Sequence, residues 1–385
     1  MEVIMSIESI KYPLTGIGRY TFELTKQLQH DAGLNLKLFS HGKFISELPK
    51  LDAVTSESSV LSKIRGQLIK SDLAVKSVKF VRDYAIRKSL KTHKNAIFHG
   101  PAYYLPKFDG QSVATFHDLS VFTMAEYHPP ARVRFMQKEL RHTLQEASVL
   151  ITDSEFNRIE LANYFGYPAA KIVSVPLACS DEFHPRDAAS TTSVLNRFGL
   201  NHGGYILYAG TIEPRKNIET LLDAYSILPD AIRRRWPLVL VGHHGWQSHQ
   251  LHDRIDKAVS EGWAKYLGYV NNDDLPYLFA GAHLFCFPSH YEGFGLPVLE
   301  AMASGVPVIC SNASSLPEVV GDAALMFDPE DVDTLQQLIM TGLEDEVWRK
   351  TAKEKGLMQA STFSWQRCAK ETVAVYRELS TGKQK

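Results

Sequence analysis

Two stretches of this 385-residue chain pair polar side chains with backbone able to hold an anion. The first reads Tyr208-Ala-Gly-Thr-Ile-Glu-Pro-Arg-Lys-Asn217, between an apolar run and a helical pattern. Arg215 suits a bidentate grip on phosphate, and Lys216 adds a compact charge beside it. The second, Pro288 to Val308, reads PSHYEGFGLPVLEAMASGVPV. Its glycine turn, Gly293-Phe294-Gly295, leads into a helix expected to begin near Pro297, since proline is favoured in a first helical turn. The unpaired N–H groups of such a terminus attract anions. Glu292 lies before the turn and Glu300 about one helical turn inside, so the two carboxylates can reach different ends of one extended polar ligand. A third candidate is Thr15-Gly-Ile-Gly-Arg19, where two glycines permit close backbone approach but by themselves specify no ligand.

These stretches need strands to carry them. Short apolar runs recur at Val3 to Ile7, Leu36 to Phe39, Ala96 to His99, Val113 to Phe116, Val149 to Thr152 and Ile172 to Val175. Helical patterns at Gly18 to Leu28, Arg132 to Glu146 and Glu155 to Phe165 fall between them. The scheme restarts at Tyr205 to Ala209, Leu238 to Val241, Tyr266 to Leu267, Leu284 to Phe287 and Val306 to Ile309. Its helices are expected at Ile218 to Leu228, Leu251 to Ser260, Pro297 to Ala303 and Asp331 to Leu343. Unalternated apolar runs suit strands buried on both faces, hence parallel sheets. The expected fold is α/β, two doubly wound Rossmann-like domains facing across a cleft, with ligands beyond the carboxyl ends of the strands. Residues 1–182 form the first domain and 202–363 the second. The polar stretch 183–201 reads as linker and loop.

Composition narrows the class. The chain is 44% hydrophobic and 22% charged with a formal net charge of -1, which argues against a disordered chain and gives no global pull toward nucleic acid. No apolar run approaches the roughly 18 residues of a spanning helix. The opening residues lack the basic flank and apolar length of a signal peptide and read as a first strand, so a cytoplasmic location is expected. Cys179, Cys286, Cys310 and Cys368 form no Cys-x-x-Cys pair and read as reduced, mostly buried thiols. One segment is unusual: Leu61 to Lys94 holds ten Lys or Arg against Asp72 and Asp83, with apolar residues at roughly helical spacing. Such a segment can lie on an anionic membrane surface; the alternative is a solvated helix packed on its own domain.

Taken in order, the glycine loop near the start, Phe116-His117-Asp118, the Gly-Thr-Ile-Glu-Pro-Arg-Lys-Asn segment and the Glu-x7-Glu block resemble retaining glycosyltransferases of family 4, with the GT-B fold. The closest-looking subgroup is bacterial mannosyltransferases of O-antigen or related polysaccharides. Phe363-Ser-Trp-Gln onward resembles the family's closing helix, so residues 364–380 are expected to cross back to the first domain. Where many relatives have Asn-Gly after the last first-domain strand, this chain has Val175-Pro-Leu-Ala-Cys179, outside the implied chemistry.

The resemblance implies a metal-independent transferase without a cofactor, most simply using GDP-mannose on a lipid-linked saccharide at the inner membrane face. Its catalytic set would be His117, Arg215, Lys216 and Glu292. Arg215 and Lys216 would bind the donor pyrophosphate, and Glu300 the ribose hydroxyls. Glu292 and the backbone from Gly293 through Phe294 and Gly295 to Leu296 would contact the hexose, with His117 approaching from the other domain. Gly16, Ile17 and Gly18 would close over the phosphates, and Val270 would border the base. Tyr103, Tyr104 and Asp118 are acceptor candidates, with packing and turn-capping as the alternatives. GDP-rhamnose, a UDP-hexose or a soluble acceptor would fit the same framework. A non-catalytic partner subunit and a nucleotide-sugar epimerase are further readings. Asp331-Val-Asp333 reads as a helix cap, not a metal site. His243, His244, His249 and His252 read as a donor-site loop and surface helix. The sequence leaves the oligomeric state open.

Overall fold

The computed structural model describes residues 1–14, 16–49 and 84–382. Two sheets organise it. The first runs in the order β3-β2-β1-β4-β5-β6-β7, from β1 (Glu2–Ser6), β2 (Asn35–Ser40), β3 (Lys43–Ile45), β4 (Ile97–Gly100), β5 (Gln111–Phe116), β6 (Val149–Thr152) and β7 (Ile172–Ser174). The second runs β10-β9-β8-β11-β12-β13, from β8 (Ile206–Ala209), β9 (Leu238–Val241), β10 (Ala264–Gly268), β11 (Leu284–Phe287), β12 (Val308–Ser311) and β13 (Ala324–Phe327). All pairings are parallel except β2 with β3. Central strands such as Val149–Thr152, Leu238–Val241 and Leu284–Phe287 are buried at every position, as their aliphatic runs require. The second sheet has the Rossmann strand order, which reverses between β8 and β11. The first reverses between β1 and β4.

The Trp365–Thr381 helix, capped by Ser364, returns to the first sheet. The Tyr376 hydroxyl lies 2.6 Å from His99 Nδ1 on β4, and the Trp365 ring lies 6.3 Å from that of Tyr20. Through these residues one apolar cluster extends from Val3 and Met5 of β1 to Phe285 and Phe287 of β11.

The stretch expected as linker contains a helix instead, Ala188–Arg197. Asp187 accepts the Ser190 N–H at 2.8 Å, and Leu195 and Leu200 are buried in the second domain's core. Four Ser and Thr in the helix concealed this narrow apolar stripe from a compositional reading. The edge strand β3 and the short strand β13 were likewise without a periodic signal. Residues 61–83 of the basic segment, and Thr15, lie outside the described residues; residues 84–90 are helical. Among the described residues no helix is long and apolar enough to cross a membrane.

Candidate active site

The loops after β8 and β11 meet at the second sheet's reversal point. Asn217 joins them, adopting a positive φ of 53° and donating from Nδ2 to the Pro288 carbonyl at 3.0 Å and to that of Pro329 at 2.7 Å. Above this joint Lys216 Nζ lies 2.6 Å from Glu292 Oε1, and Arg215 lies 3.4 Å from Glu292 Oε2. The guanidinium also donates to Glu213 at 2.8 Å and to the Tyr291 carbonyl at 2.5 Å. All three charged side chains are nearly enclosed. Burial pushes the Glu292 carboxyl up, but Lys216 and Arg215 outweigh it and hold it below its ordinary value. Burial and the neighbouring Arg215 lower Lys216, although Glu292 opposes them. Arg215, opposed by burial but drawn by Glu292 and Glu213, titrates above the ordinary guanidinium range. The result is a desolvated dication balanced by acids, suited to an incoming diphosphate. Glu213 positions Arg215.

Gly295 starts the Leu296–Ala303 helix at a φ of 111°, with Pro297 in its first turn. The Ser315 hydroxyl donates to the carbonyls of Glu292 and Phe294 at 2.9 Å each, fixing the turn. Glu300 is buried on this helix, and burial, partly offset by Arg19 of the first domain, raises its carboxyl to about 7. Gly16, Ile17 and Gly18 begin the Gly16–Leu28 helix directly after β1. A side chain at 18 would meet the Ser9 carbonyl at 2.9 Å, whereas Gly16 faces open space. Val270 is buried beside Tyr269, whose exposed ring stacks on His243 at 4.5 Å.

His117 follows β5 and meets the second domain through its backbone. Its carbonyl and that of Gly293 both accept from Asn157 Nδ2, each at 2.8 Å. The His117 ring is turned inward, Nδ1 at 2.7 Å from Asp153 Oδ2 and Nε2 at 2.8 Å from the Pro101 carbonyl. Ser154 also donates to the Gly293 carbonyl at 2.9 Å, and Glu318 accepts the N–H groups of Glu155 and Phe156 at 2.8 and 2.5 Å. Tyr291 accepts the Leu119 N–H at 3.1 Å and donates to Glu160. On the far side of the cleft the Trp246 indole donates to the Tyr127 carbonyl at 2.7 Å.

Two acceptor candidates need correction. Tyr103 is only 4% exposed: its φ of 68° turns the ring onto Phe116 and His117, so it cannot serve as a stacking face. Asp118 accepts the Ser120 N–H at 3.1 Å and the Ser120 hydroxyl at 2.9 Å, the capping role that was its alternative. Tyr104, 39% exposed, instead pairs with the 58% exposed Phe135 at 6.2 Å. Both border a cavity of about 580 Å³ beyond the carboxyl ends of β1 and β4, whose described lining includes Glu8, Lys11, Arg87 and His142.

Asp331 caps the Val332–Glu344 helix, accepting the Thr334 N–H at 2.9 Å and its hydroxyl at 2.7 Å. His244 and His252 stack at 3.6 Å, and among the described residues no three His, Cys, Asp or Glu group as metal ligands. Cys286, Cys310 and Cys368 are buried free thiols and Cys179 a half-buried one.

Sequence reasoning missed Asp153, Asn157, Tyr291, Glu318 and Phe135. A signal existed for the first two: Thr-Asp-Ser-Glu-Phe-Asn157 places polar groups at a strand's carboxyl end, beside the end that carries His117. Nothing local marked the others, whose roles depend on the facing domain or on a neighbouring helix.

Residues 14–182 match the family described as Glycosyltransferase Family 4, and residues 197–357 the family described as Glycosyl transferases group 1. The chain is 46% identical to O-antigen chain mannosyltransferase B of Escherichia coli, over 98% of this chain and 100% of that protein. It is 33% identical to the serotype-specific mannosyltransferase WbdA of Escherichia coli, over 70% of this chain and 34% of the larger protein. Among solved structures, a sucrose-phosphate synthase from Thermosynechococcus elongatus superposes with a TM-score of 0.73 at 20% identity, covering 99% of each chain. WaaG, a glycosyltransferase involved in lipopolysaccharide biosynthesis, superposes with a TM-score of 0.69 at 14% identity, covering 97% of this chain and 99% of its own. These last two likenesses are of fold.

Proposed function

The chain belongs to glycosyltransferase family 4 and is a glycosyltransferase, and from that premise we propose that it transfers mannose from GDP-mannose to a lipid-linked saccharide, in O-antigen or related polysaccharide synthesis. The observation that carries the reading is the convergence of Arg215 and Lys216 on Glu292 at the carboxyl ends of β8 and β11. The mannosyl specificity is supported by the full-length mannosyltransferase relative.

In the proposed reaction the acceptor hydroxyl oxygen attacks the anomeric carbon from the face that the diphosphate leaves. The bond from that carbon to the phosphate oxygen breaks as the glycosidic bond forms, and the hydroxyl proton passes to the departing phosphate. Configuration is thereby retained. Negative charge grows on the leaving group, where Arg215 and Lys216 stabilise it and supply the positive charge that a divalent ion would otherwise bring. Glu292 would then face the hexose and Glu300 the ribose, with the Gly16 to Gly18 backbone over the phosphates and Val270 beside the base. The cavity bordered by Tyr104 and Phe135 would take the acceptor, since exposed aromatic faces suit the apolar faces of sugars. The basic segment 61–94 would hold the protein at the cytoplasmic face of an anionic membrane.

A thermal-shift panel of GDP-mannose, GDP, UDP-glucose and UDP, each with EDTA, tests the donor. Ligand at about a hundred times its dissociation constant stabilises by about 2.7 kcal/mol. A shift with guanine nucleotides, followed by mannose transfer to a lipid-linked saccharide in EDTA, is the expected result. A uridine-only response rejects the donor, and transfer that requires a divalent ion rejects the metal-independent step. Product NMR reads the anomeric configuration. Vesicle binding that survives neutralisation of the bases in 61–94 rejects the membrane role.

A further inference from the structure

The histidine at the domain contact has a buried partner. Register pairs Phe116 with Thr152, so His117 and Asp153 stand side by side at the ends of β5 and β6. Both residues are buried, and the edges or faces of Tyr20 and Tyr103 enclose the imidazole at centroid distances of 5.0 and 5.3 Å. The Pro101 carbonyl can only accept, so the 2.8 Å contact requires a hydrogen on Nε2. The 2.7 Å contact between Nδ1 and Asp153 Oδ2 requires a second proton. Asp153 Oδ1 is buried with no other partner, so this carboxylate serves the histidine.

We infer that Asp153 is a positioning residue for glycosyl transfer: it holds His117 as an imidazolium whose two N–H groups are committed to Asp153 and the Pro101 carbonyl, so that the ring is not a base and the His117 carbonyl is fixed at the Gly293 contact. The inference rests on the glycosyltransferase reading of the site, and it leaves the departing phosphate to take the acceptor's proton.

The surrounding groups agree. Burial alone would lower His117, but Asp153, the Pro101 carbonyl and Asp118 together raise it above its ordinary value. His99, on the adjacent β4, is lowered by burial and by His117 to about 3 and is therefore neutral. Tyr20 and Tyr103 are raised well above the ordinary phenol value, first by burial, and so stay uncharged. Asp153 is itself raised by burial, with His117 opposing. Both directions favour a proton held between the pair.

The test has two arms. In the unmodified full chain, ¹⁵N spectra of labelled histidine should show both His117 nitrogens protonated from about pH 6 to about pH 8. A nitrogen signal of the unprotonated kind at either position in that range overturns the inference. In the second arm, Asp153→Asn should lower kcat more than donor KM is raised, and should move the alkaline limb of the kcat profile by about 1–3 pH units toward acid. A profile superimposable on that of the unmodified protein overturns it. The spectroscopic arm needs neither a folded variant nor a known donor. Failure of the functional reading would appear separately, as absence of transfer by the unmodified protein.

Discussion

Gly293 and His117 meet backbone to backbone across the cleft: a β-carbon at position 293 would stand 1.7 Å from the His117 carbonyl oxygen. The first residue of the glycine turn whose backbone was expected to contact the hexose is therefore also one of the points where the two domains touch. No L side chain fits unless the domains separate. Gly293→Ala should leave each domain folded, with melting temperature little changed, while transfer falls by at least tenfold, equivalent to about 1.4 kcal/mol. Small-angle scattering should record a more open particle. Unchanged kcat/KM would show that this contact is not used in turnover.

Asn157 binds the two sides of that contact through one amide nitrogen. Asn157→Asp replaces the donor by an acceptor facing two carbonyls, and leaving buried polar groups unpaired costs about 1–3 kcal/mol. The expected loss in kcat/KM is about tenfold to a hundredfold, with GDP binding to the isolated donor loops less affected. Equal loss in nucleotide affinity, read by titration calorimetry, would point to a wider structural role.

Arg215 makes the strongest claim on the leaving group. Arg215→Ala should reduce kcat by roughly a hundred- to a thousandfold, or about 2.7–4 kcal/mol. Arg215→Lys should recover little, because the planar fork that contacts Glu213, Tyr291 and Glu292 cannot be reproduced by an ammonium. Steady-state kinetics on both variants decides this; a fully active lysine variant would reduce Arg215 to a point charge.

Glu300 gives a pH dependence with a definite sign. Its carboxyl, raised by burial from 4.5 to about 7, binds more protons in the folded than in the unfolded chain between those values. Its contribution therefore falls as pH rises through that window and is flat above it, a change of about 3 kcal/mol. Glu300→Gln should be more stable than the unmodified protein above about pH 7 and should lose this slope. Donor affinity should nevertheless fall in the variant, since the carboxylate is the proposed acceptor for ribose hydroxyls. Melting curves and nucleotide titrations across the window check both parts.

Tyr104 and Phe135 offer a test of the acceptor cavity. Each ring contributes about 0.5–1.5 kcal/mol if it stacks on a sugar, so alanine at either position should raise acceptor KM roughly two- to tenfold. Donor hydrolysis without acceptor should be unaffected. An unchanged acceptor KM for both variants would move the acceptor elsewhere.

Much of this arrangement is written in local sequence. Uninterrupted aliphatic runs specify strands buried on both faces, and the spacing of helices between them specifies parallel crossovers. The turn from Glu292 to Gly295 and the Arg215-Lys216 pair are legible because strand ends, glycine turns and adjacent cations lie within a few residues of one another. The helix at Ala188–Arg197 was not legible, because its burial depends on packing against the Leu275–Ala280 helix, not on its own composition.

What the sequence determined by itself was the chemistry available at each strand end: which loops carry cations, carboxylates and free N–H groups. Which of these groups face one another was decided only by the tertiary structure. Tyr103 and Tyr104 are neighbours in the chain, yet a single positive φ sends one ring into the core and leaves the other at the cavity rim. His117 and Asp153 are far apart in the chain, yet sheet register sets them in hydrogen-bond contact. A parallel sheet brings the carboxyl ends of distant strands together at one edge, and burial there fixes the charge and orientation that residue identity leaves free.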